Sequence, residues 1–246
     1  MAPITGAPDR LYLLQLSTTS IPLPTGQSLA MSSGCYLVRT TDGKHILIDS
    51  GLPADYVAPP GTPPARNEQN VLQHLARLAL SPEDIDLVIC SHLDVDHAGY
   101  HDTFTHAEFI VQRKHLEVAR NGSARYAGAR AHWDHPAVRY CTVEGDIELC
   151  SGLWLIETSG HCPGHESVLV RLPQMGAVLL AIDAVAMGRL FTPERHAWPL
   201  DDDEEQLRAS TRKLLDLVER EHVSLVIFGH DGTQWEGLIK APDYYA

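Results

Sequence analysis

Four side chains that can bind a metal ion lie within six residues of one another: His92, Asp94, Asp96 and His97. They follow the apolar run 85–90, which is typical of a short buried strand. Loops at the ends of rigid strands commonly carry functional ligands. One ion rarely takes four neighbouring side chains, whereas two ions a few ångströms apart can share them. The spacing therefore predicts a metal site and favours one with two ions.

A helix N-cap is the alternative interpretation of this segment. Asp94 or Asp96 could accept hydrogen bonds at the start of a helix that begins near His97. That interpretation accounts for one carboxylate and leaves the two histidines and the second carboxylate unexplained. We therefore favour the metal site.

Further ligand candidates follow three later apolar runs. The segment 160–165 reads GHCPGH and comes after the run 153–158, while Asp183 ends the run that starts at Ala177. The fourth run, 223–228, leads into His230. Every candidate is therefore placed where a predicted strand ends.

Together these segments resemble the metallo-β-lactamase superfamily, whose signature is H-x-H-x-D-H followed by a distal histidine, a bridging aspartate and a last histidine. Within it, the sequence is most similar to the N-acyl homoserine lactonases. The resemblance runs nearly end to end, through the segments 34–38, 46–53, 91–93, 96–99, 160–167, 179–184 and 228–231. It implies an α/β (α+β) fold, the αββα sandwich of the metallo-β-lactamase type.

The resemblance also implies the metal ligands: His92, Asp94 and His165 for the first ion, Asp96, His97 and His230 for the second, and Asp183 as the bridge between them. His161 would then support its loop without coordinating. Asp49, at the end of the predicted strand 45–49, would lie beneath the ions as a supporting carboxylate. The alternative for Asp49 is a turn residue before Gly51.

The sequence departs from the lactonase pattern at two positions. Asp94 stands where the family has its second histidine, which would make the first site harder and more anionic. Two divalent ions are expected, zinc by the resemblance, with iron or manganese as alternatives because of this carboxylate. The lactonases also have a tyrosine three residues after the bridging aspartate, thought to hold the substrate carbonyl, and here that residue is Ala186. Tyr100 or Tyr126 could replace it.

These features imply a metal-dependent hydrolase that opens a lactone ring. Two divalent ions sharing a water would lower its pKa and provide the hydroxide that attacks the ester carbonyl. The implied substrate is an N-acyl homoserine lactone, a quorum-quenching activity, with Asp96 as the catalytic residue that orients the nucleophile and returns a proton. The alternatives are a related hydrolase of another lactone, a thioester or a β-lactam, and a diiron redox enzyme.

Aromatic and apolar residues near these segments are the candidate walls of a substrate pocket: Tyr100, Tyr126, Trp133, Met187 and Phe191. The proline-containing segment 54–66 is predicted to be a surface loop near the rim of the site. Near the N-terminus, we expect strands over 11–16 and 35–40, with a loop over 20–33 between them.

Length and composition limit the possible function classes. With 246 residues, 44% of them hydrophobic, and no break in composition, the chain reads as one domain over 1–246. A net charge of -13 argues against nucleic-acid binding. The five irregularly spaced cysteines suggest a reducing compartment rather than a disulfide framework. No signal-like or membrane-spanning segment is recognisable. We expect a soluble cytoplasmic enzyme with a small-molecule substrate, in which the tail 233–246 could help to close the site or to form a homodimer.

Overall fold

The computed structural model describes residues 4–22, 26, 28–57 and 67–246. In these ranges six strands form the first sheet, in the order β1 (Pro8–Pro22), β2 (Ser28–Thr40), β3 (His45–Ile48), β4 (Leu87–Ile89), β5 (Glu108–Gln112) and β6 (Tyr140–Val143). The first three strands pair antiparallel, and β3 to β6 pair parallel. The carboxyl ends of the parallel strands therefore meet at one edge of the sheet.

Five more strands of the described chain form the second sheet: β7 (Ile147–Cys150), β8 (Leu153–Glu157), β9 (Glu166–Leu172), β10 (Gly176–Ile182) and β11 (Leu225–Phe228). Its spatial order is β11-β10-β9-β8-β7. All pairs are antiparallel except β10 with β11. Because β10 and β11 run parallel, the residues that follow them emerge on the same side.

The helices of the described ranges are α1 (Val71–Arg77), α2 (Arg113–Arg120), α3 (Arg130–Trp133), α4 (Glu204–Arg220) and α5 (Gly232–Gly237). Asp203 caps α4 by accepting a hydrogen bond from the amide of Gln206, and two glutamates occupy the first turn, where the helix dipole favours negative charge. None of these helices is both long and apolar enough to cross a bilayer.

Alternating side chains build a core on each face of the first sheet. Leu11 and Leu13 of β1 join a buried cluster with Val168 and Leu180 of the second sheet, so the two sheets pack face to face. Leu14 and its neighbours point the other way, toward the side of the sheet covered by α1 and α2. On the far side, α4 packs on the outer face of the second sheet. The layers are helix, sheet, sheet and helix, and the predicted αββα sandwich is confirmed.

The prediction of a loop over residues 20–33 is wrong. The first two strands instead continue as a hairpin whose register runs to Pro22 opposite Ser28. Serine and threonine dominate this extension, so it lacks the apolar alternation that marks a half-buried strand. Of the loop predicted over 54–66, residues 58–66 lie outside the described residues.

Candidate metal centre

The ends of four strands bring the candidate ligands together from separate parts of the chain. The segment after β4 carries His92, Asp94, Asp96 and His97, the β8–β9 connection carries His161, and Asp183 and His230 follow β10 and β11. Their ligand atoms form two groups, each within 4.8 Å: the first cluster of His92, His161 and Asp183, and the second cluster of Asp96, His97 and His230. The polar residues that follow these strands therefore meet at one site.

The Asp183 carboxylate lies between the two clusters. Its Oδ2 is 3.4 Å from His161 Nε2 and 3.8 Å from His92 Nε2. Its Oδ1 is 3.7 Å from Nε2 of His97 and 3.1 Å from Nε2 of His230. Because Oδ2 is also 3.1 Å from His230 Nε2, the carboxylate as a whole contacts both clusters, as a bridging ligand must.

Unusual backbone at the end of β10 turns Asp183 toward the site. Ile182 has a φ of 52°, a conformation that a β-branched residue rarely adopts. Such strain costs about 1–3 kcal/mol and is concentrated at functional sites. The neighbouring segment comes very close, because a Cβ added to Gly229 would lie 2.7 Å from Asp183 Oδ1. Only glycine leaves room for the carboxylate beside the turn that leads to His230.

In the second cluster, protein oxygens hold the outward-facing ring nitrogens. His97 Nδ1 lies 2.9 Å from Asp49 Oδ2, and His230 Nδ1 lies 2.9 Å from the carbonyl oxygen of Ser32. Both rings can donate from Nδ1, which leaves the lone pair of Nε2 facing the cluster. Histidines that bind metals are commonly oriented in this way.

The first cluster is supported similarly. His161 Nδ1 lies 2.8 Å from the carboxylate of Asp201, and His92 Nδ1 lies 2.9 Å from Ser91 Oγ. The Ser91 hydroxyl donates to Asp49 Oδ2 over 2.6 Å, so His92 Nδ1 is the donor in its own bond. Asp49 thus lies beneath both clusters, in direct contact with the second and linked to the first through Ser91.

The inward-facing atoms fit metal ions. The buried atoms His92 Nε2, His97 Nε2 and Asp183 Oδ1 have no hydrogen-bond partner within the described part of the chain. Buried polar atoms are normally paired, so each such atom requires an explanation. Imidazole nitrogen and carboxylate oxygen are suitable ligands for zinc and similar ions. A pair of cations would satisfy all three atoms.

The charges of the site also favour cations. Burial would lower the pKa of His161 and of His230, yet the pKa of each is raised to about 9. The carboxylates of Asp201 and Asp94 cause the shift at His161, and Asp183 causes it at His230. Burial would likewise raise the pKa of Asp183, but the neighbouring histidines, first His230, hold that pKa well below its ordinary value. The electrostatic field of these side chains therefore stabilises a positive charge placed between the two clusters.

The two histidines of 160–165 lie differently with respect to the first cluster. His165 is fully buried, and its Nδ1 lies 2.8 Å from Thr158 Oγ1. Its Nε2 accepts a hydrogen bond from the backbone amide of Asp183 over 3.3 Å. Both ring nitrogens of His165 thus have protein neighbours, and the ligand role expected for His165 stays a prediction. His161, expected only to support its loop, has its Nε2 3.4 Å from Asp183 Oδ2 and 2.7 Å from Arg125 Nη2.

Asp94 lies at the first cluster but is also held by an arginine. Its Oδ2 is 3.2 Å from His161 Nε2 and 3.4 Å from His92 Nε2. Arg125 donates from Nε to Asp94 Oδ1 over 2.7 Å and from Nη2 to Oδ2 over 2.5 Å. No signal in the sequence points to Arg125, because it lies 31 positions from Asp94 and no motif links the two residues.

Comparison with known proteins identifies the family. The model of the metallo-beta-lactamase superfamily matches residues 30–230, a range that includes every residue of both clusters. The chain belongs to the metallo-β-lactamase superfamily. The family and the fold predicted from the sequence are thereby confirmed.

Several members of this superfamily that resemble the chain are N-acyl homoserine lactonases. The lactonase AiiA of Bacillus thuringiensis subsp. kurstaki is 32% identical over 243 residues, which cover 94% of each chain. The lactonase AttM of Rhizobium radiobacter is 30% identical over 266 residues, covering 96% of this chain and 98% of AttM. A solved N-acyl homoserine lactone hydrolase, with the product N-hexanoyl-L-homoserine bound at its catalytic metal centre, superposes with a TM-score of 0.84 at 28% identity. That superposition covers 97% of this chain and all of the other.

Two cavities open beside the clusters of this metallo-β-lactamase member. The larger has a volume of about 350 Å³ and an apolar wall that includes Ile21, Met31, Leu190, Trp198 and Leu200. The smaller, of about 280 Å³, is lined partly by serine, threonine and tyrosine side chains. Asp96 and His230 line both cavities. A ligand that spans them would pass directly over the second cluster.

The pocket walls predicted from the sequence are not those of the two cavities. Within the described part of the chain, the walls of both cavities are formed without Tyr100, Tyr126, Trp133, Met187 and Phe191. The first three belong to the core on the helix side of the first sheet, where Trp133 Nε1 donates to the carbonyl of Tyr126 over 2.9 Å. Met187 lines a separate depression, and Phe191 packs on Phe228. Large aromatic rings lie in the core because burying them removes much apolar surface from water.

Proposed function

We propose that the protein is a metal-dependent hydrolase that opens the ring of N-acyl homoserine lactones. The observation that carries the proposal is the pair of clusters with Asp183 between them, beside an apolar cavity. Within the described structure, the inward-facing Nε2 atoms of His92 and His97 have no hydrogen-bond partner. The similarity to the lactonases AiiA and AttM over almost the whole chain supports the same substrate class.

The proposed centre contains two divalent ions, with zinc as the expected metal. His92, Asp94 and His161 would hold the first ion, Asp96, His97 and His230 the second, and Asp183 both. This set takes His161 in place of His165, because the ligand atoms of His92, His161 and Asp183 lie within 4.8 Å of one another. Two such ions would supply activation of a water at neutral pH and polarisation of an ester carbonyl.

Asp96 is the proposed catalytic acid and base. Its carboxylate is 3.7 Å from His97 Nε2 and 3.8 Å from His230 Nε2, and its side chain remains 31% exposed. It therefore borders both the cluster and the cavities. During hydrolysis, the oxygen of a water forms a bond to the lactone carbonyl carbon while Asp96 accepts its proton. The bond from that carbon to the ring oxygen then breaks, and Asp96 returns the proton to the ring oxygen. The product is an open hydroxy acid.

The apolar cavity suits the acyl chain of such a substrate. Met31 and Ile21 come from the hairpin of β1 and β2, while Trp198 and Leu200 come from the segment before α4. These walls offer hydrophobic surface to an alkyl chain, whose burial contributes roughly 0.8 kcal/mol per methylene group. We expect longer acyl chains to bind more tightly until the cavity is filled.

A hydrolysis panel on protein with quantified metals tests this proposal. The panel contains N-acyl homoserine lactones of increasing chain length, an aliphatic lactone without the acyl amide, a thioester and a β-lactam. We expect the N-acyl homoserine lactones to give the highest kcat/KM, and activity to disappear on chelation and return with Zn²⁺. Fully loaded protein that leaves every lactone intact would overturn the assignment.

Ala186 favours one alternative substrate class. It lines the larger cavity at the position where the resembling lactonases have a tyrosine, so this wall offers a methyl group in place of a hydroxyl. A substrate that needs no hydrogen bond there, such as another lactone or a thioester, would use the same ligands. Faster turnover of either compound in the panel would support this alternative.

The homodimer and the cytoplasmic location stay predictions. Light scattering coupled to size-exclusion chromatography would measure the oligomeric state of the purified chain. Fractionation of the source cells would test the location.

A further inference from the structure

Arg125 makes a dense set of contacts beside the first cluster. Its side chain is 18% exposed, and it donates to both carboxylate oxygens of Asp94. Nη1 also donates to the carbonyl oxygens of His161 and Leu200, at 3.0 and 2.7 Å, and to Asp202 Oδ1 at 2.9 Å. Nη2 lies 2.7 Å from His161 Nε2. One guanidinium therefore joins the Asp94 loop, the His161 loop and a wall of the larger cavity.

We propose that Arg125 and Asp94 act as a pair that replaces the neutral histidine of the family signature. Arg125 would be a positioning residue that orients Asp94 Oδ2 toward the first ion and cancels the charge of the carboxylate. This inference rests on the proposed metal centre, because it assigns a role to Arg125 within that ligand set.

The charge balance supports the pairing. A histidine that ligates through Nε2 is neutral, whereas an aspartate at the same position adds one negative charge to a site that already contains Asp183. The positive charge of a guanidinium bound to both carboxylate oxygens restores the net charge that a neutral histidine would give at this position. The sequence alone suggested a more anionic first site, and Arg125 removes that excess.

The geometry supports the positioning role. Two parallel hydrogen bonds from a planar guanidinium restrict the rotation of a carboxylate, which a lysine ammonium does not do. Here the fork binds both oxygens of Asp94, and Oδ2, bonded to Arg125 Nη2 over 2.5 Å, is held 3.4 Å from His92 Nε2. A carboxylate oxygen has two lone pairs, so Oδ2 can accept from Arg125 and still ligate the first ion.

A double-mutant cycle on positions 94 and 125 tests the pairing. The variants are Asp94→His, Arg125→Gln and the double variant, and the measurement is the affinity for Zn²⁺ in chelator competition, with the ions per chain counted by mass spectrometry. Substitutions that disturb the support of a ligand typically weaken metal affinity by about 10- to 100-fold. We expect each single variant to lose affinity by this factor for one of its two Zn²⁺ ions. The double variant should have an affinity within about threefold of the wild type.

The physical reason for the rescue differs between the variants. Asp94→His alone leaves the Arg125 cation without its carboxylate beside a second cation, and Arg125→Gln alone leaves the carboxylate unoriented and uncompensated. The double variant has the neutral histidine of the family and no excess charge. A merely structural role of Arg125 would not be rescued by a change at position 94.

Two matched variants control for the other contacts of Arg125. Asp202→Asn removes its second ion pair without touching Asp94, so it should leave the affinity for Zn²⁺ within about threefold of the wild type. Arg125→Lys keeps the charge but loses the fork, and we expect an affinity between those of the wild type and Arg125→Gln. Thermal unfolding of each metal-free variant checks that it is folded.

Additive losses in the cycle would overturn the pairing. So would a wild type that binds one ion and gains a second on Arg125→Gln, because the guanidinium would then occupy the place of the first ion. These outcomes are distinct from failure of the proposed function. Wild-type protein that binds two ions and shows the rescue, but opens no lactone, would support the pairing and overturn the lactonase assignment.

Discussion

The two clusters of the metal centre are built in different ways. The second cluster has the side chains of the family signature at each of its positions, and it is supported by Asp49 and by the Ser32 carbonyl. The first cluster departs from the signature at Asp94, contains the first histidine of the GHCPGH segment, and is contacted by Arg125 and Asp201. In the proposed pairing, a changed ligand is accommodated because a distant side chain compensates its charge. The predictions below test how far the two clusters differ.

The largest effect is expected for Asp96→Asn in the second cluster. The amide keeps the size of the side chain but cannot accept the proton, so kcat should fall by about 10²- to 10⁴-fold. Most of the bound metal should remain. Lactone hydrolysis and metal content are measured on the same preparation, with Asp216→Asn on the exposed face of α4 as the matched control. Unchanged hydrolysis would exclude Asp96 as the acid and base.

The next largest effect separates the histidines of the GHCPGH segment. His161→Ala should lose the ion of the first cluster, leaving about one of the two ions that such a centre holds. His165→Gln should retain both ions and lose stability, because His165 bonds to Thr158 and to the backbone of Asp183. Metal counting after dialysis distinguishes the variants. The opposite pattern would restore the ligand role that the sequence suggested for His165.

A smaller effect is expected from the support beneath the clusters. Asp49→Asn should weaken metal affinity by about 10- to 100-fold, because Asp49 contacts His97 directly and His92 through Ser91. Ser91→Ala breaks only the indirect link and should affect only the first cluster. Chelator competition resolves the release of the two ions. Equal losses in the two variants would argue against the direct contribution of Asp49 to the second cluster.

The smallest effect is expected for Thr158→Val, which removes the hydroxyl next to His165 Nδ1 at nearly constant volume. Leaving a buried ring nitrogen without its partner should lower the free energy of unfolding by about 1–3 kcal/mol. Urea denaturation of metal-free protein measures the change, and Thr105→Val at an exposed position is the control. Because His165 is outside the proposed ligand set, metal content should not change, and a lost ion would contradict that exclusion.

The spacing of residues along the chain was sufficient to predict much of the site. His92, Asp96 and His97 are close in sequence and follow one short strand, so their proximity is local and requires no knowledge of the fold. Asp183 and His230 each end an apolar run, and the resemblance placed them with the others. The αββα layers followed from the same resemblance.

Other features could not be predicted because distant contacts decide them. The hairpin that supplies Ile21 and Met31 to the larger cavity has a polar extension without the alternation of a strand. Tyr126 and Trp133, which were expected to line that cavity, are instead packed in the core. The sequence does not show toward which side of the chain their rings point.

The sequence by itself determined the family, the types of ligand and the strand ends that carry them, because these depend on residue identity and short spacings. Only the tertiary structure decided which histidine faces the centre and what balances the carboxylate of Asp94. The direction of an imidazole ring depends on which protein atoms hold its other nitrogen, and for His161 and His165 those atoms belong to Asp201 and Thr158. The charge of a site likewise depends on residues that folding brings near, as it does Arg125.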